Sequence, residues 1–74
     1  MIPVTVLKTP GGSKNIMVAE GSSVEDALRQ ASVDYIGFTV SHDGRPVGLH
    51  TEIEQPPVGQ TFVISLTRKV EAGR

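Results

Sequence analysis

Catalysis in this 74-residue chain would have to begin at His42 and His50, the only side chains that ordinarily titrate near neutral pH. His42 precedes Asp43 and His50 stands two residues before Glu52, so each has a carboxylate within reach for a general base or half of a metal site. Neither pattern supplies a third ligand or a nucleophile, and both histidines are read as exposed loop residues. Gly11-Gly12-Ser13-Lys14 has the composition of a phosphate loop. It lacks the spacing Gly-x4-Gly-Lys-Ser/Thr, and a strand pattern follows it where a helix is required, so it is read as a turn. None of Ser13, Ser22, Ser23, Ser32, Ser41 and Ser65 lies in a Gly-x-Ser-x-Gly elbow. With no cysteine, thiol chemistry and thiolate metal sites are absent. The expectation is a protein with no catalytic, cofactor or metal site.

Charge narrows the partners. Seven Lys plus Arg against eight Asp plus Glu leave a net charge of −1, too balanced to drive binding to phosphate backbones or anionic membranes. No stretch approaches the ~20 apolar residues of a membrane span, and the first residues lack the basic start and apolar run of a signal peptide. A soluble, cytoplasmic protein that binds neither nucleic acid nor membrane is expected, as a monomer or weak homo-oligomer. Arg68, Lys69 and Arg74 form the one basic cluster.

The elements that would position these residues follow from hydrophobic period and turn chemistry. Ile2, Val4 and Val6 alternate with Pro3 and Thr5, predicting a half-buried strand over 2–8. Thr9-Pro10-Gly11-Gly12 is turn chemistry, and alternation resumes over 13–18 with Ile16 and Val18 on one face and Met17 on the other. Ser22 with Glu25 three residues on predicts a capping box, and Val24, Ala27, Leu28 and Ala31 follow at helical spacing. A third strand is predicted over 35–41, with Ile36, Phe38 and Val40 on one face, and Asp43-Gly44 signals a hairpin into a short strand over 46–49. Residues 50–60 are polar and proline-rich and read as a loop whose Ile53 and Val58 plug the core. A last strand over 61–67 carries Phe62, Ile64 and Leu66 inward and Val63 and Ser65 outward. The core must rest on Val, Ile and Leu, each worth roughly 1.5–3 kcal/mol when fully buried, so stability is expected to be modest.

Four passages, running to about residue 67, carry a family likeness. They are the hairpin over 2–18, Glu20-Gly21-Ser22-Ser23-Val24-Glu25-Asp26-Ala27-Leu28 opening the helix, Asp43-Gly44-Arg45-Pro46-Val47 between strands, and Pro57-Val58-Gly59-Gln60-Thr61-Phe62-Val63-Ile64 entering the last strand. In element order and turn placement the chain resembles the β-grasp (ubiquitin-like) family, and within it the small sulfur-carrier proteins of thiamine and molybdopterin synthesis. The resemblance implies an α+β fold of order ββαβββ, a mixed sheet backed by one helix, with the last strand central beside the first. One domain over 1–67 and a flexible charged tail over 68–74 are expected. A carrier of that family ends in Gly-Gly, because its activating enzyme adenylates the free glycine carboxylate. Here Ala72-Gly73-Arg74 stands in that place, so carrier chemistry at Gly73 requires removal of Arg74.

Alternation places Thr5, Leu7, Met17, Thr39, Val63 and Ser65 on the sheet face away from the helix. Related domains dock partners there or along a sheet edge. The favoured expectation is a non-catalytic adaptor or inhibitor binding a protein partner through that face, with Leu7, Met17 and Val63 as apolar anchors and Arg68 and Lys69 as a charged rim. The alternative is a sulfur carrier or ubiquitin-like modifier activated at Gly73.

Overall fold

A computed structural model describes residues 1–9 and 11–68. Its elements are β1 (Ile2–Thr9), β2 (Gly12–Val18), α1 (Val24–Gln30), β3 (Phe38–His42), β4 (Arg45–Pro46) and β5 (Phe62–Arg68), the expected ββαβββ order. The sheet is ordered β2-β1-β5-β3-β4. β1 and β5 run parallel at its centre with Val4 beside Phe62 and Leu7 beside Ser65, and the other neighbours are antiparallel. β5 runs one residue beyond the expected domain end, so Arg68 closes the sheet; residues 69–74 of the expected tail lie outside the described residues.

One side of the sheet carries the core. Ile2, Val4 and Val6 of β1, Val18 of β2 and Phe62, Ile64 and Leu66 of β5 pack against Val24, Ala27 and Leu28 of α1. Burial of apolar area of this kind is the main favourable term in folding. Ile53 joins them from the long loop, as expected. Its segment also completes the helix: the N–H groups of Val24 and Glu25 donate to the carbonyls of Thr51 and Leu49, both at 2.9 Å. Those first-turn donors have no partner inside the helix, so the loop is held by the helix's own unmet need.

Two apolar residues expected in the core are outside it. Ile36 is 82 % exposed, and Val58 is fully exposed. Each precedes a glycine in a tight turn: Phe38 N–H donates to Tyr35 O at 3.1 Å around Ile36-Gly37, and Gln60 N–H to Pro57 O at 3.0 Å around Val58-Gly59. The glycines have φ of 85° and 84°, the left-handed value such a turn requires at its third position. The second position of a tight turn points its side chain to solvent, so β3 starts at Phe38 and not at Tyr35. β4 is likewise shorter than expected, because a turn closed by Thr51 N–H on Gly48 O takes over; Val47 and Leu49 still pack against the core. The Asp43-Gly44 hairpin is as expected, with His42 opposite Arg45 and positive φ at both turn residues.

The helix cap falls one residue later than the Ser22–Glu25 pattern predicts. Ser23 is the N-cap: Asp26 N–H donates to Ser23 Oγ at 3.2 Å, and Ser23 N–H donates to Asp26 Oδ2 at 3.0 Å. Ser22 is otherwise engaged, its carbonyl accepting from Ile53 N–H at 2.8 Å, and the Glu25 carboxylate accepts from the Tyr35 hydroxyl at 2.9 Å and from Arg29 at 3.2 Å. The Ser23 backbone N–H, and secondarily its hydroxyl, hold the Asp26 carboxyl below its usual value. A folded-state value below the unfolded one gives stability that is present above about pH 4, the ordinary aspartate value, and is lost as pH falls through the lower folded value. Asp26→Asn is therefore expected to flatten the acid limb of the stability curve between those values, measured by urea unfolding at a series of pH values. An unchanged acid limb would remove Asp26 from that account.

Candidate partner-binding face

The face of the sheet opposite the helix is built by alternation and register. β1 contributes Pro3, Thr5, Leu7 and Thr9 to it, and β2 sets Met17 opposite Pro3, Asn15 opposite Thr5 and Ser13 opposite Leu7. β5 sets Val63 beside Thr5 and Ser65 beside Leu7, and β3 adds Thr39 and Ser41 opposite Thr67 and Ser65. No charged side chain falls at any of these positions, in a chain whose residues are 20 % charged. Leu7 is 40 % and Met17 46 % exposed, and Val63 is half-buried beside Thr5, one strand over from Leu7.

The face has internal order. The Thr5 hydroxyl meets Asn15 Oδ1 at 2.8 Å and Thr61 Oγ1 at 3.3 Å, forming a polar row from the edge strand β2 across β1 to the residue before β5. Met17 lies beyond that row toward the start of β1, where Pro3, Asn15 and Thr61 line a shallow recess with it. Leu7 lies on the other side, four residues along β1 from Pro3, about 13 Å at the rise of a strand. Leu7 and Met17 thus lie on either side of a neutral polar row, with Val63 on β5 beside Thr5 of that row.

Arg68 does not stand on this face. It shares the parity of Leu66 and pairs with Phe38, which places it on the helix side at the end of β5. It cannot rim the outer face as expected, because successive residues of a strand point to opposite sides. Lys69 and Gly73 lie outside the described residues. Gly11 and Gly12 form the β1–β2 turn and the start of β2, as their composition suggests, and Lys14 caps the helix by donating to Ala31 O at 2.8 Å.

His42 is not the exposed loop residue that its neighbours suggest. It ends β3 half-buried, its ring stacked on Phe62 with centroids 3.8 Å apart and planes 7° from parallel. Its Nδ1 is 2.8 Å from Val63 O and its Nε2 3.3 Å from Asp43 Oδ2. The last β3–β5 pair is Ser41 with Ser65, so the imidazole supplies to Val63 the donor that the strand no longer offers. Its role is in holding the sheet together. Period-2 alternation from Phe38 through Val40 puts His42 inward, and this was the signal that could have found it. His50 is exposed in the turn after Gly48, and no group of three or more metal-ligating side chains is assembled among the described residues.

No protein-family model and no curated protein matches the chain. Among solved structures it is similar to a ubiquitin-like protein from Trypanosoma brucei, 23 % identical, with a TM-score of 0.66 over 93 % of this chain and 95 % of that one. At that identity the likeness speaks to the fold: the chain has the ubiquitin-like, β-grasp architecture.

Proposed function

We propose that this chain is a non-catalytic, ubiquitin-like binding module that docks a protein partner on the outer face of its sheet. The observation that carries the reading is the absence of charge at the described positions of that face, across four strands, with Leu7 and Met17 partly exposed. Depletion of charged side chains marks the centres of protein interfaces, where desolvating a charge is costly. Thr5, Asn15 and Ser65 offer hydrogen-bonding groups that lose little on desolvation if matched, so the partner surface that fits is neutral and polar around two apolar contacts. The module acts by occupancy, covering a surface or bridging two proteins. Binding needs no reacting group, and the described histidines are used structurally or lie alone.

The test is affinity capture from native lysate with the wild type, Val63→Asp, Leu7→Asp and, as a control on the helix side, Arg29→Ala. A carboxylate buried without a partner in the interface is expected to weaken binding by about tenfold or more, a change of ~1.4 kcal/mol. Partners retained by Arg29→Ala and lost from both aspartate variants support the face; partners retained equally by all four remove it. An intact mass from the native cell that lacks Arg74 and carries a modified Gly73 would replace this reading with that of a carrier or modifier.

A further inference from the structure

We propose that copies of this chain associate head to tail, the end of the sheet where β1 and β5 finish resting on the end where they begin. The two ends carry opposite charge. At the finishing end, Lys8 and Arg68 stand on the helix side next to Phe38, and Lys14 follows the β1–β2 turn. At the starting end, Glu20 lies in the turn after Val18, Glu52 bridges Ser23 at the helix N-terminus, and Glu54 lines a recess with Thr61 and Phe62. Asp26 and Asp43 add to that side. Among the described residues opposing charges are few: Asp34 before β3 at the basic end, and Arg45 and the Met1 amino group at the acidic end.

This separation is invisible in the net charge of −1. The fold creates it, because parallel β1 and β5 send Lys8 and Arg68 to the same end while both connections leading into α1 and β5 carry their glutamates at the other.

The basic end is also preorganised. The Lys8 ammonium sits 4.8 Å over the centre of the Phe38 ring, and the Lys14 ammonium is 2.8 Å from Ala31 O. Side chains held in place before binding lose less freedom on binding. Among the described residues neither Lys8, Lys14 nor Arg68 has a carboxylate within ion-pair distance, so each can meet one from a second copy. The contact joins different surfaces of the two copies, so each bound copy leaves a free end of each sign and association continues into chains, or into a ring where the rotation between copies closes. The outer sheet face lies along the side of such a chain and stays available to a partner.

Sedimentation velocity of the full chain, over a range of concentrations at low and high ionic strength, tests this. Species larger than a monomer are expected to grow with concentration at low ionic strength and to dissolve when salt screens the ends. Two charge-reversed proteins sharpen the test: Lys8→Glu with Arg68→Glu, which leaves the helix-capping Lys14 in place, and Glu52→Lys with Glu54→Lys. Each alone is expected to stay monomeric with a native circular-dichroism spectrum, and mixing the two is expected to restore association. Val63→Asp should leave association intact, which separates this surface from the sheet face. A wild type that remains monomeric at low ionic strength, association indifferent to salt, a mixture that stays monomeric, or loss of association in Val63→Asp would each overturn the proposal.

Discussion

Replacing Phe62 by alanine is expected to cost about 3–5 kcal/mol of folding stability, the range for removing a buried aromatic side chain. That equals the whole margin of about 3–5 kcal/mol that a core of this size usually supplies, so the variant should be largely unfolded without a stabilising cosolvent. The ring is almost fully buried at the start of β5, beside Val4 of β1. It packs in the core on one side and stacks on His42 at 3.8 Å on the other. Truncation opens a cavity under β1 and β5 and takes away the surface on which the imidazole rests. His42 is then left to hold Val63 O without its stacking partner. Phe62 and His42 should therefore couple: a double-mutant cycle with His42→Ala, read by urea unfolding in a stabilised background, is expected to show about 0.5–1.5 kcal/mol of interaction. A Phe62→Ala protein that unfolds within ~0.5 kcal/mol of the wild type, the usual effect of a surface substitution, would show that the ring is not part of the core.

The second large effect separates two residues of one loop. Ile53→Ala is expected to cost about 2–5 kcal/mol, and Val58→Ala to stay within about 0.5 kcal/mol of the wild type. Ile53 is 1 % exposed and sits in the core cluster, whereas Val58 stands in solvent at the tip of the Pro57–Gln60 turn. The cost at Ile53 also carries a structural consequence. Its N–H donates to Ser22 O, and the neighbouring carbonyls of Leu49 and Thr51 serve the first turn of α1. Losing the anchor should loosen the segment that caps the helix, so amide exchange at Val24 and Glu25 is expected to rise more than at Ile64 in the middle of β5. Equal thermal midpoints for Ile53→Ala and Val58→Ala would mean that the loop does not contribute to the core.

The outer face and the charged ends differ in how they should fail. The sheet face is neutral, so salt should leave partner capture largely unchanged, while the ends act through charge and should weaken with it. The Tyr35 hydroxyl, kept protonated above its usual value mainly by donating to Glu25, ties the segment before β3 to the helix at neutral pH and belongs to neither surface.

What the amino-acid sequence determined by itself was local. Period-2 alternation put Leu7, Met17 and Val63 on the side of the sheet away from Val6, Val18 and Ile64, helical spacing put Val24, Ala27 and Leu28 on one stripe, and Asp43-Gly44 made a two-residue hairpin. Each of these depends on backbone geometry within a few residues, so composition and spacing suffice. The tertiary structure decided what local rules leave open. Ser22-Glu25 and Ser23-Asp26 are equal capping patterns, and the choice fell to Ser23 because Ile53 occupies the Ser22 carbonyl and Tyr35 the Glu25 carboxylate. Ile36 and Val58 look as apolar as Ile53, yet each stands before a turn glycine while Ile53 meets the space under the helix. Arg68 fell on the helix side and His42 into the stack on Phe62 because those strands extend one residue beyond their expected ends. Parallel pairing of β1 with β5, residues nearly sixty apart, then gathered the charges into two ends and, among the described residues, left one face with none. Neighbours that distant in the chain are chosen by which packing buries the most apolar surface, a property of the whole molecule that no short window of sequence contains.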